Sequence, residues 1–184
     1  ISNSSKNLIK FIPYSEILST KEIKKYDEIW HFATYGQPAI FMESWKDLIK
    51  LNINDLEILT SLLKDNGHFY YASTSELYGN QKSDEDTTPS SDPLSQRSIY
   101  TESKRLGEAI LNKELGERAT FFRICLAYSP NFSLGDKRVI YELIVKALTN
   151  NSINLIDDGS SQRQYLFIDD AISMMENIAF NLFG

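Results

Sequence analysis

Short runs of β-branched and aromatic residues alternate along the chain with longer segments in which apolar residues recur every third or fourth position. The runs are typical of buried strands, and the longer segments are typical of amphipathic helices. This alternation predicts an α/β fold with a mainly parallel sheet. The predicted strands cover residues 8–12, 28–33, 68–73, 120–127, 153–156 and 165–168. The predicted helices cover residues 15–26, 42–63, 100–115 and 138–148, and a last helix begins at Asp169-Asp170 and reaches Phe180.

A polar segment follows the predicted strand 68–73. It covers residues 74–96 and contains two prolines and a cluster of Ser, Asp and Thr. A loop of roughly twenty residues is longer than a simple connection requires. Because long loops on a rigid scaffold frequently carry binding or catalytic residues, we expect functional side chains in this segment.

Composition and charge argue against several classes of protein, namely those that bind nucleic acid, hold a metal or span a membrane. The chain has 184 residues, the size of one domain, and a net charge of −6. Its scattered Lys and Arg residues argue against nucleic acid as a partner. One cysteine, Cys125, and two histidines, His31 and His68, offer almost no ligands for a metal, so no metal site is expected. No apolar run approaches the roughly 18 residues of a membrane span and no leader opens the chain, so a cytoplasmic location is expected.

The spacing of Tyr100 and Lys104 is the first candidate for chemistry. Four residues apart on a predicted helix, they share one face. A nearby ammonium favours the phenolate by about 4 kcal/mol at 4 Å and an effective dielectric of 20, which lowers a tyrosine pKa by up to about three units. Such a tyrosine could take a proton from a hydroxyl group. The alternative is a solvated helix pair, because chance alone produces this spacing about once in such a chain.

A second pair with the same spacing, Tyr78 and Lys82, spans a Gly-Asn turn. A shared helical face is not expected across such a turn. We therefore interpret this second pair as a coincidence of spacing.

Five segments resemble, in order, the extended short-chain dehydrogenase/reductases that epimerise, dehydrate or decarboxylate nucleotide sugars. The resemblance covers about residues 27 to 181. Its segments are 31–33, 73–79, Tyr100 with Lys104, 123–124 with 128–130, and 158–163 followed by 167–170. Within this family the chain is most similar to the UDP-glucuronate decarboxylases. The features in common are the Thr-Ser-Glu run at 74–76, Pro38 seven residues after His31, and Arg97-Ser98 before the tyrosine.

The resemblance implies a Rossmann-like doubly wound parallel sheet, an NAD cofactor and a nucleotide-sugar substrate. It implies that Thr74 hydrogen-bonds the reacting sugar hydroxyl, Tyr100 removes its proton and Lys104 holds the nicotinamide ribose. Glu76 would lie at the sugar carbon where the later chemistry happens. The other residues that it places at the site are Phe32, Ala33, Thr34 and Ser73 around the cofactor, and Ser75 and Arg163 around the substrate.

The implied reaction passes through a transient 4-keto sugar and ends in decarboxylation or epimerisation. The family's dehydratases carry an Asp where this chain has Ser75, so dehydration lacks its usual acid. Two departures from the family favour a second hypothesis, a non-catalytic or inactive nucleotide-sugar-binding relative. The family's Asn is Leu126, and the glycine-rich phosphate turn is absent from this chain. A further departure is Ser129, where the family has a Gly.

The resemblance places the missing glycine-rich turn before Ile1 and the end of the sugar-nucleotide pocket after Gly184. We therefore expect residues 1–184 to be a partial dinucleotide-binding domain, truncated at both ends, in which the substrate-binding part begins at about residue 129. The family's usual dimer pairs two helices of each subunit in a four-helix bundle. The resemblance thus implies a homodimer through helices 42–63 and 100–115.

For several of these residues an ordinary structural role is also open. His31 in an apolar strand is expected to be a core residue, and Cys125 a small buried hydrophobe. Glu76 could be an exposed loop carboxylate, and Arg163 a surface loop arginine.

Overall fold

The computed structural model of the protein describes residues 9–19, 24–79, 86–133, 135–155, 158–160 and 162–183. Three parallel strands form its main sheet in the order β1 (Tyr26–His31), β2 (Leu63–Thr74) and β3 (Ala119–Ile124). The strands run in one direction, so their carboxyl ends meet at one edge of the sheet. The predicted α/β fold with parallel strands is confirmed.

A second, smaller sheet continues from the first. It pairs β4 (Leu126–Tyr128) with β5 (Tyr165–Phe167), again in parallel. The single strand predicted over residues 120–127 is therefore wrong, because the chain leaves the main sheet at Cys125 and then enters the smaller one. The apolar run is continuous through both strands, so its pattern does not mark the change of sheet.

Seven α-helices accompany these strands in the described part of the chain. They are α1 (Tyr14–Ser19), α2 (Pro38–Glu43), α3 (Trp45–Ile49), α4 (Leu56–Ser61), α5 (Ser98–Leu115), α6 (Val139–Asn150) and α7 (Ile168–Phe183). A π-helical turn at Lys50–Asn54 and short 3₁₀ turns at Ser75–Tyr78 and Gly116–Arg118 complete the regular structure. None of the described helices is both long and apolar enough to cross a membrane.

The helix predicted over residues 42–63 is a series of shorter pieces. Helix α2 begins at Pro38, a residue well suited to the first helical turn, and the series breaks at Ser44 before α3. The π-helical turn 50–54 then inserts a wider turn before α4, which ends at Ser61. Buried side chains continue through these breaks, with Leu48 in α3, Asn52 in the π-helical turn and Leu56 in α4, so the spacing of apolar residues does not mark them.

The start of β2 also differs from the prediction. The Asn66-Gly67 pair was expected to end a helix before a strand at 68, but β2 already begins at Leu63 and includes both residues. A Cβ atom at Gly67 would lie 2.8 Å from the Asp27 carbonyl oxygen in β1. The glycine therefore permits a close approach of two strands instead of terminating a helix.

Four further boundaries need correction. Residues 9–12 form no strand, and Leu8 lies outside the described residues. The helix predicted over 15–26 ends at Ser19 as α1, Tyr26 belongs to β1, and residues 20–23 are outside the described part. Residues 153–155 form no strand, and Ile156 is not described. Ile168 begins α7 instead of ending a strand.

The main core lies between β2 and the helices that cover it. Its buried members are Leu56, Leu59, Leu63, Phe69, Tyr71 and Leu111. Helix α5 packs closely on this core at Gly107, where a Cβ atom would overlap the Tyr71 hydroxyl. This close packing sets the position of the first turns of α5 against the carboxyl end of β2.

Candidate active site

The carboxyl end of β2 leads directly into the segment expected to carry function. Thr74 is the last residue of β2 and is buried. Its Oγ1 accepts a hydrogen bond of 3.2 Å from the Glu76 N–H, which caps the 3₁₀ turn Ser75–Tyr78. The local sequence therefore turns the chain sharply and holds Ser75 and Glu76 at the end of the sheet.

The first turn of α5 brings Tyr100 to this point. The Thr74 side chain lies close enough to the Tyr100 phenol to act on it, lowering the pKa of the phenol. The Tyr100 ring stacks on Phe41 of α2, with ring centroids 4.8 Å apart and planes at 11°. Phe41 is fully buried and was not singled out from the sequence, because its contact with Tyr100 joins residues far apart in the chain. The structure thus brings together Thr74 and Tyr100, as the resemblance implied.

The pKa of the Tyr100 phenol is raised in this structure. Burial is the largest cause, and the Glu76 carboxylate adds to it. The Thr74 side chain and the Arg97 guanidinium oppose the rise in this pKa. The phenol therefore holds its proton firmly unless a further positive charge favours the phenolate.

Lys104 lies one helical turn beyond Tyr100 and is completely buried. Its Nζ donates a 2.6 Å hydrogen bond to the Ala72 carbonyl oxygen and lies 4.5 Å from the centroid of the Tyr71 ring. Burial lowers the pKa of this amine to about 7, and the Glu108 carboxylate opposes the decrease. The expected decrease of the Tyr100 pKa by Lys104 is not found, since the amine is directed to Ala72 and the Tyr100 pKa is raised.

Glu76 is paired with Arg97 in this site. The Arg97 Nη2 lies 2.5 Å from the Glu76 Oε1, and the Arg97 guanidinium also lies 5.7 Å from the centroid of the Phe41 ring. Burial raises the pKa of the Glu76 carboxyl, while the charges of Arg97 and Arg163 lower it. Glu76 is therefore a partly buried, paired carboxylate beside Tyr100 and not an exposed loop residue.

The two residues expected at the substrate, Ser75 and Arg163, differ in their exposure to solvent. Ser75 begins the 3₁₀ turn and is partly buried between Thr74 and Glu76. Arg163 is exposed, its Nη1 donates to the Gln162 carbonyl at 2.8 Å, and its charge acts on the Glu76 carboxylate. Arg163 thus lies on the same side of the molecule as Glu76 with its guanidinium open to solvent.

The residues expected around a cofactor follow β1 at the same edge of the sheet. Phe32 and Ala33 are exposed, and the Phe32 ring stacks on Trp30 at 6.1 Å. Thr34 Oγ1 is buried and has no hydrogen-bond partner among the described residues. Ser73 is buried at the end of β2, where its Oγ donates to Glu108 Oε1 at 2.5 Å. The Ser73 hydroxyl is therefore engaged by the protein itself.

Two residues have the ordinary structural roles expected for them. His31 is buried, its Nε2 lies 3.0 Å from the Leu51 carbonyl oxygen, and burial lowers its pKa to about 4. A neutral core histidine is thereby confirmed. Cys125 is partly buried and burial raises its thiol pKa, as expected of a small hydrophobe without reactive character.

Sequence reasoning did not identify Glu108 as a site residue. Glu108 accepts hydrogen bonds from Arg123 Nε at 3.0 Å and from Arg123 Nη2 at 2.7 Å. Arg123 Nη1 in turn donates to the Tyr78 hydroxyl at 2.7 Å. Tyr78 therefore pairs with Arg123, and Lys82, its neighbour by spacing, lies outside the described residues. The position of Glu108 four residues after Lys104 is the signal that could have identified it.

Comparison with known proteins agrees with this geometry. A family model described as the NAD dependent epimerase/dehydratase family matches residues 14–181. The chain belongs to this family. Family members include NAD-dependent epimerases, dehydratases and decarboxylases of nucleotide sugars. The resemblance carried by the Thr-Ser-Glu run and by Tyr100 with Lys104 is therefore confirmed at the level of the family.

Among curated proteins, the chain is similar to UDP-glucuronic acid decarboxylase 1 of Danio rerio, with 27% identity over 154 residues. That match covers 80% of this chain and 37% of the relative. UDP-glucuronic acid decarboxylase 5 of Arabidopsis thaliana is 26% identical over 153 residues, which cover 79% of this chain and 45% of that protein. The chain thus spans less than half the length of these relatives.

Solved structures with the same fold include the PbgP3 protein of Burkholderia pseudomallei. It superposes with a TM-score of 0.70 at 26% identity, over 86% of this chain and 52% of that one. The UDP-glucuronic acid 4-epimerase of Bacillus cereus, solved with UDP-glucuronic acid and NAD, gives a TM-score of 0.64 at 22% identity, over 87% of this chain and 52% of that one. These matches confirm the predicted Rossmann-like α/β architecture.

Proposed function

We propose that this chain carries the proton-transfer residues of an NAD-dependent enzyme that modifies a nucleotide sugar through a transient 4-keto intermediate. The observation that carries the proposal is the placement of the buried Thr74, at the carboxyl end of β2, near the Tyr100 phenol on which it acts, with the buried Lys104 amine one turn further along α5. In open α/β sheets, ligands bind at this end of the strands. The part of the chain after about residue 129 would contribute to the substrate side.

The chain's own residues fit a dinucleotide. Thr34 Oγ1 is a buried hydroxyl without a described partner, so a ligand hydroxyl or amide could supply its missing hydrogen bond. Lys104 has three N–H donors when protonated, and the described contact with Ala72 uses one of them. Residues Phe32, Ala33, Thr34, Lys104 and Tyr100 would therefore hold the cofactor. When bound, NAD supplies the hydride acceptor for oxidation of the sugar.

In this proposal Thr74 and Tyr100 act as one unit. The Thr74 hydroxyl orients the sugar hydroxyl against the phenol, and the Tyr100 oxygen takes the proton of that hydroxyl. Lys104, one helical turn further along α5, would hold the nicotinamide ribose beside them. Stacking on Phe41 and packing at Gly107 keep these groups in place and exclude water from them.

Glu76 and Arg97 favour decarboxylation over epimerisation as the later step. A keto group on the sugar acidifies its neighbours, so a carboxylate in the β position can leave as CO₂. Arg97 is a planar cation suited to a carboxylate, and Arg163 is open to solvent on the same side. Similarity to the UDP-glucuronic acid decarboxylases of two organisms supports the same choice.

A second candidate function is binding of a nucleotide sugar without turnover, in a non-catalytic or inactive relative. Leu126 favours it, because an apolar side chain stands at the start of β4 where the resembled family has an Asn. Turnover of a nucleotide sugar by the full-length protein would exclude this second candidate.

We further propose a homodimer through α2–α4 and α5. Both parts expose apolar side chains that a four-helix bundle would cover. Those side chains are Ile40, Met42, Trp45, Ile58 and Leu106.

The substitution Tyr100→Phe tests the proposed reaction in the full-length protein. It removes the group that takes the proton but leaves the ring on Phe41 in place. We expect the rate of NAD reduction by a UDP-sugar carboxylate to fall by at least about 100-fold, with NAD affinity changed little. The measurement is single-turnover absorbance of the reduced cofactor, together with NAD binding by calorimetry.

The matched control is Tyr26→Phe, which changes an exposed tyrosine at the opposite end of β1. This variant should keep the wild-type rate. Undiminished turnover by the Tyr100→Phe variant would refute the role of Tyr100 as the base.

A further inference from the structure

Three consecutive residues at the end of β2 contact three residues on one face of α5. The α5 residues are four apart in sequence, which places them in one line along the helix. Two of them, Tyr100 and Lys104, are the proposed catalytic residues, and the third is Glu108. The contacts are Thr74 with Tyr100, Ala72 with Lys104 at 2.6 Å, and Ser73 with Glu108 at 2.5 Å.

The Glu108 carboxylate is held from two strands. Arg123 of β3 donates two hydrogen bonds to it, at 3.0 Å and 2.7 Å, and Ser73 of β2 donates a third. A two-pronged arginine contact of this kind fixes the orientation of a carboxylate as well as its charge. The Glu108 side chain is only 10% exposed, so little water screens that charge.

Among the described residues, no carboxylate other than Glu108 acts on the charge of the Lys104 amine. His31 faces it from β1 as a neutral ring, Tyr71 faces it from β2, and Tyr100 and Glu108 share its own helix. Glu108 is the charged group that favours the protonated amine, against the cost of burial. The carboxylate, which is also paired with Arg123, thus offsets part of the cost of burying the protonated amine.

We propose that Glu108 is a positioning residue for Lys104: anchored by Ser73 and Arg123, its carboxylate favours the protonated form of the buried amine and holds it in line with Tyr100. The inference rests on the proposed function, because it assigns the protonation of Lys104, a residue that would hold the cofactor there, to a specific partner. Arg123 also holds the Tyr78 hydroxyl, so the same anchor reaches the turn that carries Glu76.

The charge of Glu108 and its shape have separable effects. Glu108→Gln keeps the shape and removes the charge, and Glu108→Ala removes both without an amide facing Arg123. Glu108→Asp keeps the charge on a shorter side chain. If charge is the essential property, the Lys104 pKa falls by about one unit in the two neutral variants and stays near the wild-type value in Glu108→Asp.

The direct measurement is the titration of the Lys104 side chain in the full chain, without added nucleotide. Lysine labelled with ¹³C at the ε position reports protonation by NMR, and loss of one resonance in Lys104→Met assigns it. Glu114→Gln is the matched control, because Glu114 is an exposed carboxylate on the same helix. This control should leave the Lys104 titration unchanged.

A second readout is the pH profile of NAD reduction in the full-length protein. In Glu108→Gln its alkaline limb should move down by about one pH unit, since the amine loses its proton earlier. Glu108→Asp should restore the limb. A merely structural role would lower the rate at every pH without moving the limb.

The outcomes separate the two proposals. A Lys104 titration unchanged in both neutral variants overturns the role of Glu108, and so does an equal decrease in Glu108→Asp. A shifted titration in a protein that reduces no NAD supports the role of Glu108 while contradicting the proposed function. If Glu108→Gln does not fold, Glu108→Ala and Glu108→Asp give the same decision.

Discussion

At the scale of the residue, the complete burial of Lys104 is unusual for a lysine. An ammonium group seldom enters a core, yet this side chain is fully buried with Ala72 as its described hydrogen-bond acceptor. Burial lowers the pKa of the amine to about 7. The burial of this titratable amine, one helical turn from Tyr100, therefore lowers the free energy of unfolding.

The substitution Lys104→Met should show this cost as a change in pH dependence. The amine titrates at about 7 when folded but at about 10.4 when unfolded. Between these values the unfolded chain binds more protons, so the stability of the wild type rises with pH. Below a pH of about 7 both states hold the proton, so the buried ammonium lowers the stability of the folded state by its full amount. We expect the stability of the variant, relative to that of the wild type, to be about 3 kcal/mol higher at about pH 6 than at about pH 9.5.

Urea unfolding at both pH values measures this difference. Lys113→Met is the control, because Lys113 is an exposed lysine of the same helix. Its stability should follow that of the wild type at both pH values. Equal pH slopes for the wild type and the Lys104→Met variant would contradict the burial of a titrating amine.

At the scale of the element, the position of α5 depends on Gly107, which has no side chain. A Cβ atom at Gly107 would overlap the Tyr71 hydroxyl and lie 2.9 Å from the Asn52 carbonyl oxygen. The Asn52 backbone belongs to the π-helical turn and cannot move aside as a flexible side chain would. The glycine therefore allows α5 to approach β2 closely enough for Tyr100 to meet Thr74.

The substitution Gly107→Ala should therefore destabilise the fold. Alanine gains about 1 kcal/mol in an exposed helix, but overpacking of a core costs about 1–3 kcal/mol. We expect a net loss of about 1–2 kcal/mol in urea unfolding, because the opposing atoms include backbone. Gly36→Ala is the control, since no atom lies within 4 Å of the Cβ position there. A Gly107→Ala variant as stable as the wild type would show that α5 is not held against β2 at this point.

At the scale of the whole molecule, the proposed dimer would bring two copies of α5 together. Leu106 is 48% exposed on α5, whereas Leu94 is 91% exposed in the loop before it. We expect Leu106→Lys to shift the protein from dimer to monomer, because a charge would be buried in the bundle, while Leu94→Lys has no such effect. Light scattering over a range of concentrations measures the change. A wild type that stays monomeric at high concentration would contradict the dimer.

The sequence predicted most of the strands and helices, and the shared face of Tyr100 and Lys104, because both depend on neighbours along the chain. Strand and helix follow from the period of the apolar residues, and a spacing of four places Tyr100 and Lys104 on one face of α5 whatever lies around it. The Thr-Ser-Glu run follows the strand directly, so its place at the end of β2 needed no long-range information. Its hydrogen bond from Glu76 to Thr74 is likewise local.

Only the tertiary structure decided how these groups are paired. The contacts of Tyr100 with Phe41, of Lys104 with Ala72 and of Glu108 with Arg123 join residues 15 to 59 positions apart. Local spacing does not determine such contacts, because they depend on which strands adjoin and how closely a helix packs on them. The direction of the Tyr100 pKa shift was missed for the same reason. Burial dominates that shift, and burial is a property of the whole packed core.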